Sequence, residues 1–268
     1  MKTIAVVTGA TGGLGKSYVY ECAKRGYEIV LSATKQERLD ALKAEVLAAY
    51  PTISVWAKAC DLSNDQSRAE FWDFIFKNDI KPNMLINNAG YILEGSFLGC
   101  SNEEVTKGIL VNCVGTTDFT YKFLKQRNES EQSHIIIVSS LASFYPLPQM
   151  AIYSSTKSML TRLSIALRRE LKGKNCYVTA VCPGSMATNQ DMKLSIESQG
   201  IGGKLSLQST DKVAKVSLNK VHKNKAKYIP GFFNKLMWLL SKFATETTIA
   251  NLLYKRWTKC EKKRGQYR

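Results

Sequence analysis

Six short apolar runs alternate with helix-like segments along the first two thirds of this 268-residue chain. The apolar runs, which indicate buried strands, lie at residues 3–7, 28–32, 53–59, 83–87, 134–139 and 176–182. The helical patterns lie at residues 13–25, 35–49, 64–78, 101–125 and 151–172. Strands joined by single helices pair through right-handed crossovers, so this order predicts an α/β fold with one parallel sheet and helices on both faces.

Nothing in the sequence marks a boundary between domains. The chain has 17 Gly and six Pro, without a low-complexity tract or an internal repeat. With 44% hydrophobic residues it can bury a full core as one unit. We therefore expect a single domain over residues 1–268, with the ligand-binding core in about 1–190 and a substrate-loop and basic helical carboxyl-terminal region in about 185–268.

The first predicted strand runs directly into a glycine-rich turn. Residues 8–15 include four glycines, and the helix-like residues 16–25 follow at once. Glycine lets the backbone approach a ligand closely, and the free N–H groups and positive dipole of a helix start stabilise an anion. At the first strand–helix junction of a parallel sheet, such a turn indicates a pyrophosphate site more strongly than an ordinary tight turn.

A second cluster surrounds the fifth predicted strand. Tyr153 and Lys157 are four residues apart and share one face of a helix. Ser140 follows the apolar run 134–139, where its hydroxyl could hydrogen-bond a substrate carbonyl. A neighbouring ammonium and a cationic nicotinamide ring both stabilise a phenolate, which would let Tyr153 exchange a proton at neutral pH. These residues predict a carbonyl-reducing site, although the Tyr–Lys spacing alone also occurs by chance.

From residue 3 to about residue 190, the motifs and their order resemble those of the short-chain dehydrogenase/reductase family. The matching residues are Thr8, Gly9, Gly13 and Gly15 of the glycine turn, Asp61-Leu62, Asn87-Asn88-Ala89-Gly90, Asn112, Ser140, Tyr153, Lys157, Pro183-Gly184 and Thr188. The resemblance implies an NAD(P)-dependent oxidoreductase with a Rossmann-like, doubly wound parallel sheet. In this family Asp61-Leu62 would contact adenine, and Pro183 to Thr188 would contact nicotinamide.

The resemblance also implies the roles of individual residues. Tyr153 would exchange a proton with the substrate oxygen, which Ser140 would position. Lys157 would hold the nicotinamide ribose and lower the pKa of Tyr153, and Asn112 would hold a water near Lys157. The expected cofactor-binding residues are Gly9, Thr11, Gly13, Leu14, Gly15, Thr34, Lys35, Asp61, Leu62, Asn88, Ala89, Gly90, Tyr153, Lys157, Pro183, Gly184 and Thr188.

The end of the second predicted strand bears on the choice of cofactor. An acidic residue there would bind the ribose hydroxyls of NAD and repel a 2′-phosphate, but Ala33 is small and neutral. Thr34 and Lys35 follow it, which favours NADP over NAD. Relatives that use NADP often carry arginine at the position of Thr34, and Lys35 could also be a solvated lysine at a helix start.

The predicted substrate loops are residues 141–152 and 185–207, after the fifth and sixth strands. Their large apolar residues include Phe144, Tyr145, Leu147, Met150, Met186 and Met192. Such a lining suits a steroid-like or 3-oxoacyl ketone. The carboxyl-terminal pattern resembles the branch of the family that contains 17β-hydroxysteroid dehydrogenases and very-long-chain 3-oxoacyl-CoA reductases.

Residues 204–268 contain sixteen Lys and Arg against three acidic residues, which gives this quarter +13 of the total charge of +16. Large apolar residues are interspersed among them, at 232–233, 236–240, 243, 249, 252–254 and 257. Four interpretations remain open: helices that close the substrate pocket, a surface for anionic membranes, a docking face for an acidic carrier protein or coenzyme A, and a packed helix with a solvated basic face.

Other features narrow the class of protein. Seven scattered cysteines without a CxxC spacing indicate free thiols in a reducing compartment, and two isolated histidines predict neither a metal site nor a catalytic triad. The sequence shows no secretory signal, membrane-spanning stretch or nucleic-acid-binding motif, so we expect a cytoplasmic enzyme, peripheral to a membrane at most. The family resemblance implies a homodimer or homotetramer. The alternative from another class is an NADP-binding sensor or scaffold that lost its chemistry.

Overall fold

A parallel sheet of seven strands forms the centre of the described protein. The computed structural model describes residues 2–188, 194, 196–197 and 200–264. The strands are β1 Ile4–Thr8, β2 Glu28–Ala33, β3 Val55–Ala59, β4 Met84–Asn87, β5 Ser133–Val138, β6 Cys176–Val181 and β7 Lys227–Tyr228. They pair in the order β3-β2-β1-β4-β5-β6-β7, and all pairs are parallel. The six predicted strands are confirmed within two residues at each end.

Helices cover both faces of this sheet. They are α1 Gly13–Lys24, α2 Gln36–Ala49, α3 Asp65–Lys77, α4 Asn102–Ile109, α5 Thr116–Gln126, α6 Ala151–Glu170, α7 Gly200–Ser206, α8 Thr210–His222, α9 Phe232–Leu240 and α10 Glu246–Arg264. The five predicted helices are confirmed with one correction. Residues 101–125 are not one continuous α-helix, because a π-helical turn over Leu110–Gly115 separates α4 from α5.

The strands bury side chains on both faces, as expected for a doubly wound sheet. Successive residues Val6 and Val7 of β1 belong to different hydrophobic cores. One core receives side chains from α1, α2 and α8, and the other receives side chains from α3, α5 and α6. β1 lies between β2 and β4, so the strand order reverses there and opens a crevice beyond the carboxyl ends of the strands.

Part of the basic carboxyl-terminal region belongs to the main core. Val213 and Leu218 of α8 are buried against the sheet and α1, and β7 pairs with β6. The sheet therefore extends beyond residue 190 into the basic region. β7 has only two residues, which is too short for any periodicity in the sequence to predict.

The two histidines, which are far apart in the sequence, contact each other in the structure. The ring centroids of His134 and His222 are 4.3 Å apart, and the Tyr27 hydroxyl lies 2.9 Å from His222 Nε2. His134 is buried at the start of β5, and this burial, reinforced by the charge of His222, lowers the pKa of His134 to about 4. Both histidines are structural, as the sequence predicts, but they are paired rather than isolated.

We expect the free energy of unfolding to decrease as the pH falls from about 6.5 towards 4. Over this range an unfolded His134 takes up a proton that the folded side chain excludes, so acid favours the unfolded state by roughly 3 kcal/mol in total. His134→Phe keeps a ring beside Tyr177 and removes the titration. Urea unfolding of this variant between pH 4 and 7 should therefore show a shallower pH dependence.

The control variant is Tyr177→Phe, which retains both imidazoles. Its free energy of unfolding should change with pH as steeply as that of the wild type. Equal slopes in the wild type and in His134→Phe would contradict the assignment of the acid sensitivity to His134.

Candidate active site

The glycine turn between β1 and α1 is packed so closely that side chains would not fit. Gly9 has φ of +63°, which favours glycine, and a Cβ atom on Gly15 would overlap the Gly9 carbonyl oxygen. A Cβ atom on Gly13 would lie 2.8 Å from the Thr188 methyl group. The glycines therefore permit the close packing of this turn against the Gly9 carbonyl oxygen, Asn88 and Thr188.

Residues after β4 hold this turn in place. The Asn88 side-chain amide donates to the Thr8 and Gly9 carbonyl oxygens over 3.0 and 3.2 Å. The backbone N–H groups of Asn88 and Ala89 both donate to the Thr8 hydroxyl at 3.0 Å. These bonds join the carboxyl ends of β1 and β4, the two strands that flank the crevice.

The loop after β3 is fixed by two networks. Partial burial opposes ionisation of Asp61, but hydrogen bonds from the Ser63 hydroxyl and backbone N–H outweigh it and hold the pKa of Asp61 below its usual value. The buried Arg68 donates to the Leu62 carbonyl oxygen at 2.7 Å and pairs with Asp65. Arg68 was not identified from the sequence, where a single arginine in a helix gives no signal of its buried contacts.

Sixteen of the seventeen predicted cofactor-binding residues line one groove of about 510 Å³. They are Gly9, Thr11, Gly13, Leu14, Gly15, Thr34, Asp61, Leu62, Asn88, Ala89, Gly90, Tyr153, Lys157, Pro183, Gly184 and Thr188. Lys35 is not among the lining residues, whereas Ala33 and Lys107 are. Lys107, which the sequence did not single out, lies one helical turn before the lining residue Val111 and lowers the pKa of Asp61 electrostatically.

The predicted catalytic residues converge from β5 and α6. Ser140 and Tyr153 line both the groove and a second cavity next to it. Lys157 Nζ donates to the Val138 carbonyl oxygen at 2.9 Å and lies 5.9 Å from the centroid of the Tyr153 ring. Burial lowers the pKa of Lys157 to about 8. The ammonium is therefore held beside the tyrosine at the shared wall of the two cavities.

In the ligand-free protein the pKa of Tyr153 is raised. Burial disfavours the phenolate, and hydrogen bonding with the Ser140 side chain offsets only part of that effect. Lys157 does not contribute to this shift in the ligand-free protein, so the lowering of the Tyr153 pKa by Lys157 stays a prediction. A positive charge added at the groove wall would be required to stabilise the phenolate further.

Asn112 lies in the π-helical turn and is completely buried. Its amide donates to the Tyr91 carbonyl oxygen and to the Thr156 hydroxyl, and its Oδ1 accepts from the Tyr91 N–H at 2.8 Å. The side chain thus holds the backbone after β4 against α6. Gly90 separates Asn112 from Lys157, since a Cβ atom there would lie 3.2 Å from Lys157 Nζ and 3.4 Å from Asn112 Oδ1.

Two hydroxyls that the sequence did not identify attach α6 to the end of β5. The Ser139 hydroxyl donates to the Lys157 carbonyl oxygen at 2.7 Å, and the Thr161 hydroxyl donates to Ser139 at the same distance. Because Ser139 precedes Ser140 directly, this contact sets the distance between Ser140 and the helix that carries Tyr153 and Lys157.

The second cavity has a volume of about 480 Å³ and a mostly apolar wall. Of the predicted apolar residues, Tyr145, Leu147 and Met150 line it. Phe144 packs instead against Trp238, and Met186 lines the groove. Met192 lies outside the described residues.

The carboxyl-terminal helices form one wall of this cavity, which agrees with the first of the four interpretations. The residues of α9, α10 and the turn between them that line it are Phe233, Met237, Leu240, Ser241, Ala244, Ile249, Leu252, Leu253, Arg256 and Trp257. Residues 265–268, the last part of the basic segment, lie outside the described residues. The sequence signal for this lining is the apolar spacing within α9, where Phe233, Met237 and Leu240 share one face.

Within the described ranges, no three His, Cys, Asp or Glu side chains are arranged to hold a metal ion. None of the helices described is both long and apolar enough to cross a membrane.

Comparisons with known proteins agree with this geometry. The sequence profile of the short chain dehydrogenase family matches residues 3–199. The very-long-chain 3-oxoacyl-CoA reductase of Coccidioides immitis is 32% identical over 181 residues, which are 66% of this chain and 51% of that protein. The chain thus spans about half the length of this relative. Farnesol dehydrogenase of Aedes aegypti is 30% identical over 217 residues, 78% of this chain and 85% of that protein.

Among solved structures, a short-chain dehydrogenase from Sphingobium yanoikuyae in complex with NADPH superposes with a TM-score of 0.76. The two sequences are 26% identical, and the match covers 89% of this chain and 91% of that one. The profile match covers well over half of the chain and includes the groove and all four predicted catalytic residues. The chain therefore belongs to the short chain dehydrogenase family.

Proposed function

We propose that this protein is an NADP(H)-dependent oxidoreductase that interconverts a ketone and a secondary alcohol on a hydrophobic substrate. The observation that carries the proposal is the shared wall of the two cavities. The hydroxyls of Ser140 and Tyr153 belong to that wall, between a groove shaped for a dinucleotide and an apolar cavity shaped for a substrate. A carbonyl placed at this wall would be within reach of both hydroxyls.

The groove fits a nicotinamide dinucleotide. The glycine turn lines the groove at the N-terminus of α1, where a pyrophosphate would lie, and Asp61 and Leu62 line the same groove, where adenine would lie. When bound, the dinucleotide supplies or accepts the hydride. The related NADPH complex from Sphingobium yanoikuyae supports this choice of cofactor.

Each catalytic residue then has a distinct task. The Tyr153 hydroxyl gives the substrate oxygen its proton during reduction and takes it back during oxidation. The Ser140 hydroxyl orients that oxygen. Lys157 adds positive charge beside the tyrosine and hydrogen-bonds the ribose, and Asn112 holds the backbone next to Lys157 and orders a water for proton exchange.

The preference for NADP over NAD rests on Ala33 and Thr34. Both line the groove at the end of β2, where neither of them would repel a 2′-phosphate. Lys35 is not part of the lining, so its predicted contact requires its side chain to turn towards the groove when the cofactor binds.

We expect Ala33→Asp to shift the ratio of kcat/KM for NADPH over NADH towards NADH by roughly tenfold to a hundredfold, because the new carboxylate repels the phosphate. Steady-state kinetics with both cofactors measure the ratio. Ala33→Ser, which adds a small neutral group at the same position, is the control and should keep the preference. A wild-type kcat/KM for NADH equal to or higher than that for NADPH would contradict this interpretation of the end of β2.

The apolar cavity favours steroid-like or 3-oxoacyl substrates. The relatives named very-long-chain 3-oxoacyl-CoA reductase and farnesol dehydrogenase also act, by their names, on lipid-like molecules. Arg256 at the cavity wall specifically favours the second candidate, reduction of a 3-oxoacyl group on coenzyme A or a carrier protein, because these carriers bear phosphates.

An assay of NADPH oxidation against steroid, aliphatic and 3-oxoacyl ketones distinguishes these substrate classes. Turnover of any of them supports the proposed chemistry. Inactivity towards all three classes together with tight NADPH binding would instead favour a non-catalytic NADP sensor or scaffold.

We propose a homodimer or homotetramer that is located in the cytoplasm. Apolar side chains of the α4–α6 region are exposed, namely Ile109, Val114, Tyr121, Met159 and Ile165, which fits burial in a homodimer or homotetramer. The six cysteines whose side chains are described are free thiols, which fits a cytoplasmic protein. Sedimentation velocity of the purified protein measures the oligomeric state.

A further inference from the structure

An apolar stripe runs along the outside of α9 and into the 3₁₀ turn Ser241–Phe243 that follows it. Phe232, Leu236, Leu239 and Phe243 follow one another at intervals of three and four residues, the spacing of one helical face. All four are exposed, and Phe232 and Phe243 at the two ends are 83% and 82% exposed. A neighbouring face of α9, with Phe233, Met237 and Leu240, lines the substrate cavity, and none of the four stripe residues is part of that lining. We call these four residues the α9 stripe.

Basic side chains border the α9 stripe. Lys235 on α9 and Lys242 in the turn that follows it are both exposed. Lys242 Nζ lies 4.3 Å from the centroid of the Trp238 ring. This combination of exposed aromatic side chains and flanking lysines is typical of a surface that lies in the interface of an anionic bilayer.

The substrate cavity opens beside the α9 stripe. Leu240 and Leu252 line the cavity and are also exposed, to 52% and 62% respectively. At these two leucines, an apolar surface therefore continues from the interior of the cavity to the outside of the protein.

We infer that the α9 stripe and its basic border bind the surface of an anionic lipid bilayer, with the mouth of the substrate cavity facing the lipid. A second copy of this chain fits this surface less well. A two-fold contact through the stripe would bring together the two basic regions 204–268, each with a net charge of +13. The bilayer offers both an apolar layer for Phe232 and Phe243 and negative charge for the lysines. Direct entry of a lipid substrate from the bilayer would follow, and this consequence alone rests on the proposed function.

The test uses the full chain and vesicles of phosphatidylcholine, with and without phosphatidylglycerol, in co-sedimentation at low and high salt. We expect about tenfold or more stronger partitioning onto the anionic vesicles at low salt, and a loss of that difference at high salt. Phe232→Ser with Phe243→Ser should lower partitioning by about tenfold or more, since two large apolar side chains no longer enter the lipid. Lys235→Gln with Lys242→Gln should weaken binding at low salt only.

Phe76→Ser is the matched control, because Phe76 is an exposed aromatic residue on α3, and it should bind vesicles like the wild type. NADPH binding by each variant shows that the fold is retained. The inference is overturned if the wild type does not sediment with anionic vesicles, or if the double phenylalanine variant binds as well as the wild type. A smaller oligomer in the double phenylalanine variant, measured by sedimentation velocity, would also overturn it by assigning the stripe to a second copy.

Discussion

Tyr153→Phe should lower kcat by roughly a thousandfold while it leaves NADPH binding and thermal stability nearly unchanged. The substitution removes one hydroxyl and keeps the ring, which lies partly open to both cavities. That hydroxyl is the proposed proton donor. Burial raises its pKa, so the hydroxyl is protonated in the ligand-free protein. Single-turnover assays with NADPH, together with titration of cofactor fluorescence, separate the chemical step from binding.

The matched control is Tyr145→Phe. Tyr145 lines the same substrate cavity, and burial raises the pKa of its hydroxyl to about 12, but nothing in the structure aligns it with the groove. Its variant should retain kcat within a few-fold of the wild type. If Tyr153→Phe kept more than about a tenth of the wild-type kcat, the proton-transfer role of Tyr153 would be wrong.

Lys157→Met should weaken NADPH binding by roughly tenfold or more and lower kcat by roughly a hundredfold. Methionine keeps most of the buried volume but has no ammonium, so the change tests the charge rather than the packing. Burial lowers the pKa of Lys157 to about 8 in the free enzyme, so the wild type should lose cofactor affinity as the pH rises through about 8. The variant, which has nothing to deprotonate there, should show no such decrease.

Lys107→Met is the control for this experiment. Lys107 also lines the groove but is exposed. In Lys107→Met the affinity for NADPH should still decrease as the pH rises through about 8. Dissociation constants for NADPH measured between pH 6 and 9.5 provide the comparison. An affinity in Lys157→Met equal to that of the wild type would contradict the ribose contact proposed for Lys157.

The C-terminal region illustrates the limit of local patterns. The spacing of Phe233, Met237 and Leu240 indicates an apolar helical face, but the same pattern would serve a membrane surface or a packed lid. Only the structure shows that this face lines the cavity while Phe232 and Phe243 point outwards. Likewise, nothing in the sequence near Arg68 shows that this buried side chain holds the Leu62 carbonyl oxygen.

The sequence by itself indicated six of the seven strands and the candidate catalytic motifs, because hydrophobic periodicity and motif spacing are properties of neighbouring residues. Sixteen predicted cofactor residues share one groove because parallel strands bring their carboxyl ends to the same edge. The tertiary structure alone decided the π-helical turn at Asn112, the pairing of His134 with His222, the short strand β7 and the second wall of the substrate cavity. Each of these depends on contacts between residues far apart in the chain, and such contacts leave no periodic signal in a single sequence.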